Sequence, residues 1–142
     1  MAERLSHAAA AVRRGDRDRF LAALFAPAAA RERLFALYAF NLEVAKVRET
    51  VSEPLLGRIR LQWWREAIDG VYAGRLREHP VVSALAALIG PRGTGPALTR
   101  AHFDRLIDAR EFDLENRAPA TLAELEAYGE GTSAALLWLT AE

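Results

Sequence analysis

The chain has 142 residues, and its nineteen Lys plus Arg balance nineteen Asp plus Glu, so its formal net charge is zero. No whole-molecule field therefore gathers nucleic acid or anionic lipid from a distance. The absence of cysteine excludes a disulfide framework, a thiolate zinc site and a cysteine nucleophile. Hydrophobic residues make up 51% of the chain but charge interrupts them throughout. No stretch approaches the roughly 18 apolar residues of a membrane span, so at most peripheral membrane contact is expected. The Ala- and Arg-rich start contains no apolar signal core of about 7–15 residues, which argues against a secretory signal. The length predicts one domain.

Ala, Leu, Arg and Glu dominate while Val, Ile and Thr are sparse, and the former lose little rotamer freedom in a helix, so the chain is predicted to be all-α with about six helices. A short first helix is expected over residues 17–25, closed by Pro27. The second covers residues 28–51, where Leu37, Phe40, Val44, Val47 and Val51 recur at spacings of three and four and lay one apolar stripe for the core. Ser52-Glu53-Pro54 combines a cap candidate with a first-turn proline, opening a third helix that ends before Gly74. His79-Pro80 opens a fourth that ends near Ile89. Residues 90–96 form a Gly- and Pro-rich loop, a potential hinge between two helical layers, and Thr99 starts a fifth helix reaching Asn116. Pro119 and the capping box from Thr121 to Glu124 begin a sixth. It is still apolar at Leu136-Leu137-Trp138-Leu139, and this ending without cap or polar tail reads as a single domain truncated at its C-terminal end.

Two polar rows carry the chemistry. Arg58, Gln62, Arg65 and Asp69 share a face of the third helix, as a solvated charge-paired row or an anion site. Trp63 and Trp64, with Leu55, Leu56, Ile59, Leu61 and Ile68, fill two further stripes, which predicts a helix buried on both sides. Asp104, Asp108, Glu111 and Glu115 form an acidic row on the fifth helix, suited to a hard cation unless Arg100, Arg105 and Arg110 neutralise it. His7, His79 and His102 match no zinc or catalytic spacing, and the glycine loop lacks the Gly-Lys-Ser/Thr of a phosphate loop. From these residues alone no reaction follows.

The stretch Phe20-Leu-Ala-Ala-Leu-Phe-Ala-Pro27, then Arg33-Leu-Phe-Ala-Leu-Tyr-Ala-Phe40, Leu61-Gln-Trp-Trp-Arg-Glu66, Val71-Tyr-Ala-Gly74 and His79-Pro-Val81, resembles the squalene/phytoene synthase family over nearly the whole chain. Tyr128-Gly-Glu-Gly-Thr-Ser133 is similar to the segment before the family's second aspartate motif, so the likeness is to its N-terminal half. The resemblance implies an isoprenoid-synthase bundle that joins two prenyl diphosphates head to head, with Mg²⁺ bridging the diphosphates to aspartates on facing helices. At the first Asp-x-x-x-Asp cluster this chain has Ala45 and Glu49, with Lys46 between them, Leu42 where an arginine is usual and Asn41 where a cysteine is usual. The second cluster falls beyond Glu142.

The string Ala39-Phe-Asn-Leu-Glu-Val-Ala-Lys-Val-Arg-Glu49, with the later Arg60-Leu-Gln-Trp-Trp64, is most similar to a non-catalytic branch of the family, one that includes a mitochondrial respiratory complex I assembly factor. This resemblance implies a pseudoenzyme that binds a partner protein or a prenyl or lipophilic ligand. The alternative is a prenyltransferase of isoprenoid biosynthesis whose remainder lies in a longer or second chain. No catalytic residue is assigned. Arg17, Arg19, Phe20 and Tyr38 match positions lining the synthases' cavity mouth, and Glu49 is the single remaining metal-ligand position. No cofactor is expected, save Mg²⁺ if diphosphate binding persists. Apolar surface on the second, third and sixth helices predicts self-association or a protein partner, the latter at the C-terminal helix. The location is then cytoplasmic or peripheral at an inner membrane, and the mitochondrial matrix in a eukaryote.

Overall fold

A computed structural model describes residues 4–90 and 98–142. All the regular structure in them is helical: α1 (His7–Gly15), α2 (Arg17–Ala23), α3 (Ala28–Ala45), α4 (Val47–Thr50), α5 (Pro54–Ala73), α6 (Pro80–Ile89), α7 (Arg100–Arg110), α8 (Leu122–Gly129) and α9 (Ala135–Ala141). The all-α expectation holds, with finer division than six helices. The hinge expected over residues 90–96 lies, apart from Gly90, outside the described residues.

The sequence reading missed α1. Its apolar face is only Ala8, Ala9 and Val12, too small to stand out by periodicity, yet all three are buried against α3 and α6. Ser6 caps it, its hydroxyl accepting from the Ala9 N–H at 3.1 Å, and Asp16 caps α2 through the Arg19 N–H at 3.1 Å.

The predicted second helix is interrupted at one residue. Lys46, at φ −84° and ψ −8°, ends α3 and begins α4, and Val47 buries the continuing stripe. Leu37, Phe40 and Val44 are buried as their spacing predicts. Phe40 sits at the centre, edge-on to Trp64 of α5 and Phe103 of α7 at 5.5 Å and 5.4 Å between ring centres.

The two ends of α5 follow local rules. Pro54 occupies the first turn, with Glu53 rather than Ser52 at the cap, and Gly74 closes the helix at φ 77°, a left-handed conformation that favours glycine. Its burial is one-sided, which corrects the expectation of two buried stripes. Leu61, Trp64 and Ile68 are fully buried, but Leu55, Leu56 and Ile59 are exposed. Amphipathic spacing gave a second apolar face without giving it a cover.

The fifth predicted helix tightens after Arg110 into a 3₁₀ turn, Glu111–Glu115, and stops at Asn116, whose φ is 53°. In the sixth, Thr121 accepts from the Glu124 N–H at 3.1 Å while the Glu124 carboxylate accepts from the Ala120 N–H at 2.6 Å, realising the capping signal. A π turn over Glu130–Ala134 then joins α8 to α9. Thr132 there donates to the Tyr128 carbonyl at 2.8 Å. No residue of α8 is buried, whereas Ala135, Leu136 and Leu139 of α9 enter the core. Exposed large apolar residues lie on α5, α8 and α9 as expected, but α3 carries none; α2 and the turn after it do, at Leu21, Leu24 and Phe25.

Candidate functional site

Ala45 closes α3 and Glu49 lies four residues on in α4, so the irregular step at Lys46 keeps both on one side. They line one cavity of about 580 Å³ with Arg48, Arg110, Asp113, Asn116, Arg117, Leu125 and Tyr128. The far wall is built by the 3₁₀ turn and α8. Asn116, held left-handed, turns its side-chain oxygen to accept from the Arg48 guanidinium.

Sequence reasoning missed the polar core of this cavity. Arg110 Nη1 lies 3.3 Å from Asp113 Oδ2 and donates to the Tyr128 hydroxyl at 3.0 Å, while that hydroxyl donates to Asp113 Oδ1 at 2.6 Å. Burial raises the pKa of Tyr128 and its bond to Asp113 raises it further, so the phenol stays protonated and serves as a donor, not a base. Arg110 Nε is buried without a hydrogen-bond partner. The only sequence signal was the three-residue spacing of Arg110 and Asp113; Tyr128 comes from another helix. Beside this group Arg117 bonds Glu115 at 2.6 Å and Glu124 at 2.7 Å. Bonds from Arg117 and the Ala120 N–H hold the Glu124 carboxyl down at about 2.

The cavity-mouth residues lie apart from this. Arg17 is exposed, Arg19 pairs with Asp16 at 2.6 Å, and its guanidinium stands 5.8 Å from the half-buried Tyr38 ring. Phe20 is buried and stacks on Phe35 at 5.4 Å. None of the four lines the cavity that Ala45 and Glu49 share.

The two polar rows of α5 and α7 face each other. Arg65 reaches Asp108 at 2.8 Å and Glu111 at 2.7 Å, and Asp69 receives Arg100 at 2.9 Å. Of the acidic row, Asp108 and Glu111 are thus met from α5, Asp104 by Arg100 of its own helix at 3.8 Å and Glu115 by Arg117, while Arg105 and Arg110 pair with none of the four. Burial works against the Arg65 charge, but hydrogen bonds and charge from Asp108 and Glu111 outweigh it and raise its pKa. These rows are mutual neutralisation between helices rather than an anion site and a cation site. Among the described residues no group of three or more His, Asp or Glu side chains is placed to hold a metal.

Comparison with known proteins matches residues 12–142 to the squalene/phytoene synthase family model. The chain belongs to that family. Curated relatives include the bovine and human proteins named NADH dehydrogenase (ubiquinone) complex I, assembly factor 6. They are 35% and 34% identical over 131 residues, which is 92% of this chain and 38% of each relative. The homolog of that factor in Drosophila melanogaster is 32% identical over 142 residues, covering 96% of this chain and 41% of its own length. The chain thus spans well under half the length of these relatives. No solved structure matches it.

Family synthases place Mg²⁺ at the cluster matched here by Ala45 and Glu49, and these residues do not fit it. Ala45 has no ligand atom, Glu49 offers one exposed carboxylate, and Lys46 follows Ala45 directly. Asp113, the other carboxylate that lines the cavity, is already taken up by Arg110 and Tyr128, so it offers Glu49 no free partner for a divalent cation.

Proposed function

We propose that the chain is a non-catalytic squalene/phytoene synthase-like protein that acts by binding in the assembly of respiratory complex I, where that complex is built. One observation carries the loss of catalysis. A synthase needs paired carboxylates to hold Mg²⁺ against a diphosphate leaving group, and this cavity presents Ala45 and Glu49, while its other carboxylate, Asp113, is tied to Arg110 and Tyr128. The assembly role is supported by the names of the relatives matched along most of this chain. No helix among the described residues is long and apolar enough to cross a membrane, which is compatible with work at a membrane surface.

The test is a thermal-shift titration of the purified chain with farnesyl diphosphate, with and without Mg²⁺, beside an assay for released diphosphate. A ligand that binds only the folded state raises its apparent stability by mass action. The expected result is no Mg²⁺-dependent shift and no release. Turnover that disappears in Glu49→Ala overturns the reading. Co-purification of complex I subunits with a tagged chain tests the assembly role separately.

A further inference from the structure

Among the described residues, two helix faces without a covering neighbour have opposite chemistry. On α5, Leu55 is 60% exposed, Leu56 45% and Ile59 58%, far above the burial of Leu61 and Trp64 one turn away. Leu56, Ile59 and Trp63, with Val51 and His79, line a hollow of about 560 Å³. Arg60 lines this hollow, while Arg58 lies on the opposite side of the stripe, outside it. Among the described residues neither has a carboxylate partner, although Arg65, Arg77 and Arg100 of the same region all have one. The face is therefore apolar, concave and basic at its edges.

The other face is on α8. Leu122 is 70% exposed and Leu125 52%, and the helix buries nothing. Helical spacing puts Glu126 beside these leucines, and Glu130 follows at the start of the π turn. Both are exposed, and among the described residues neither has a cationic partner, in contrast to Glu124, which is taken up by Arg117 and the Ala120 N–H. This face is apolar and acidic at its edge, and Leu125 also borders the cavity of Ala45 and Glu49.

We propose that α8 of one copy of this chain docks into the α5 hollow of a second copy. Leu122 and Leu125 fill the space over Leu56, Ile59 and Trp63, and Glu126 meets Arg60, the arginine that lines the hollow. An anionic membrane is a poorer occupant of the hollow, because it attracts the α5 arginines but leaves the acidic α8 uncovered. Because the two patches differ, the contact is head to tail, and each docking event leaves one free patch of each kind, so association continues beyond a dimer. One two-turn helix in one hollow buries less than the roughly 800 Å² per partner of a standard interface, so the contact is weak and concentration-dependent. This inference is independent of the assembly role.

Sedimentation velocity of the whole chain across a wide concentration range tests it, with Ile59→Asp and Leu125→Asp, both at exposed positions. The wild-type chain is expected to grow in mass with concentration, and each variant alone to stay monomeric with unchanged far-UV circular dichroism. Mixed, the two variants still offer one intact hollow and one intact α8, so they should form a one-to-one dimer and stop there. A second pair guards against misfolding: Arg60→Glu and Glu126→Arg should each associate more weakly than the wild-type chain and recover association when mixed. A wild-type chain that is monomeric throughout overturns the proposal. So does association that survives in Ile59→Asp or Leu125→Asp alone, or variants that fail to complement each other.

Discussion

Arg65 of α5 directs both Nε and Nη2 to the same carboxylate oxygen of Asp108 on α7, at 3.0 Å and 2.8 Å. A third bond from Nη2 to Glu111 at 2.7 Å ties the start of the 3₁₀ turn to α5. One guanidinium thereby fixes the seam between the two helices that flank Phe40 and its aromatic neighbours.

Arg65→Ala should lower unfolding stability modestly, by about 0.5–1 kcal/mol, because both carboxylates remain largely solvated and screened. Asp108→Ala, which leaves Arg65 its bond to Glu111, should cost less. Urea titrations at low and high salt check this: the gap between wild type and Arg65→Ala should narrow as salt rises.

His79 caps α6 with an unprotonated nitrogen, Nδ1 accepting from the Val81 N–H at 3.1 Å, and its ring packs on Trp64 with centres 5.1 Å apart. Burial lowers its pKa below 6.5, and Arg60 and His7 lower it further against the opposing charge of Glu43. The unfolded chain then binds more protons, so this stability is full above the unfolded value of about 6.5 and is lost as pH falls through the lower folded value. His79→Asn keeps a capping side chain without a titrating one and should flatten stability measured from pH 7 to pH 5. An unchanged slope would place the pH dependence elsewhere.

Trp64 is 1% exposed and touches both Phe40 and His79. Trp64→Ala should cost about 3–5 kcal/mol, enough to unfold much of a marginally stable domain. Trp63→Ala, on the half-buried neighbour, should cost clearly less. Thermal melts of the two variants compare them directly.

Gly70 lies where the chain turns back after α5: a Cβ there would come within 2.3 Å of the Arg75 carbonyl oxygen, while the Arg75 N–H bonds the Gly70 carbonyl at 2.8 Å. The obstacle is backbone and cannot rotate aside, so Gly70→Ala should destabilise despite alanine's better helix propensity. Gly129→Ala, with open space around the new Cβ, should be neutral or stabilising in the same denaturation assay.

Short-range chemistry made most of the helices legible in the sequence. Proline at the first turns of α5 and α6, Gly74 after α5, and the Thr121 to Glu124 box act within one turn of the chain, so their residues suffice to place them. The stripe from Leu37 to Val47 was equally plain because periodicity encodes one face of a helix. The family likeness was also readable from residue strings. Tertiary structure alone decided which of the two apolar faces of α5 is covered. It also brought Arg65 to Asp108, and gathered Arg110, Asp113 and Tyr128 beside Glu49. These are relations between helices distant in sequence, and spacing along one helix carries no information about which neighbour packs against it.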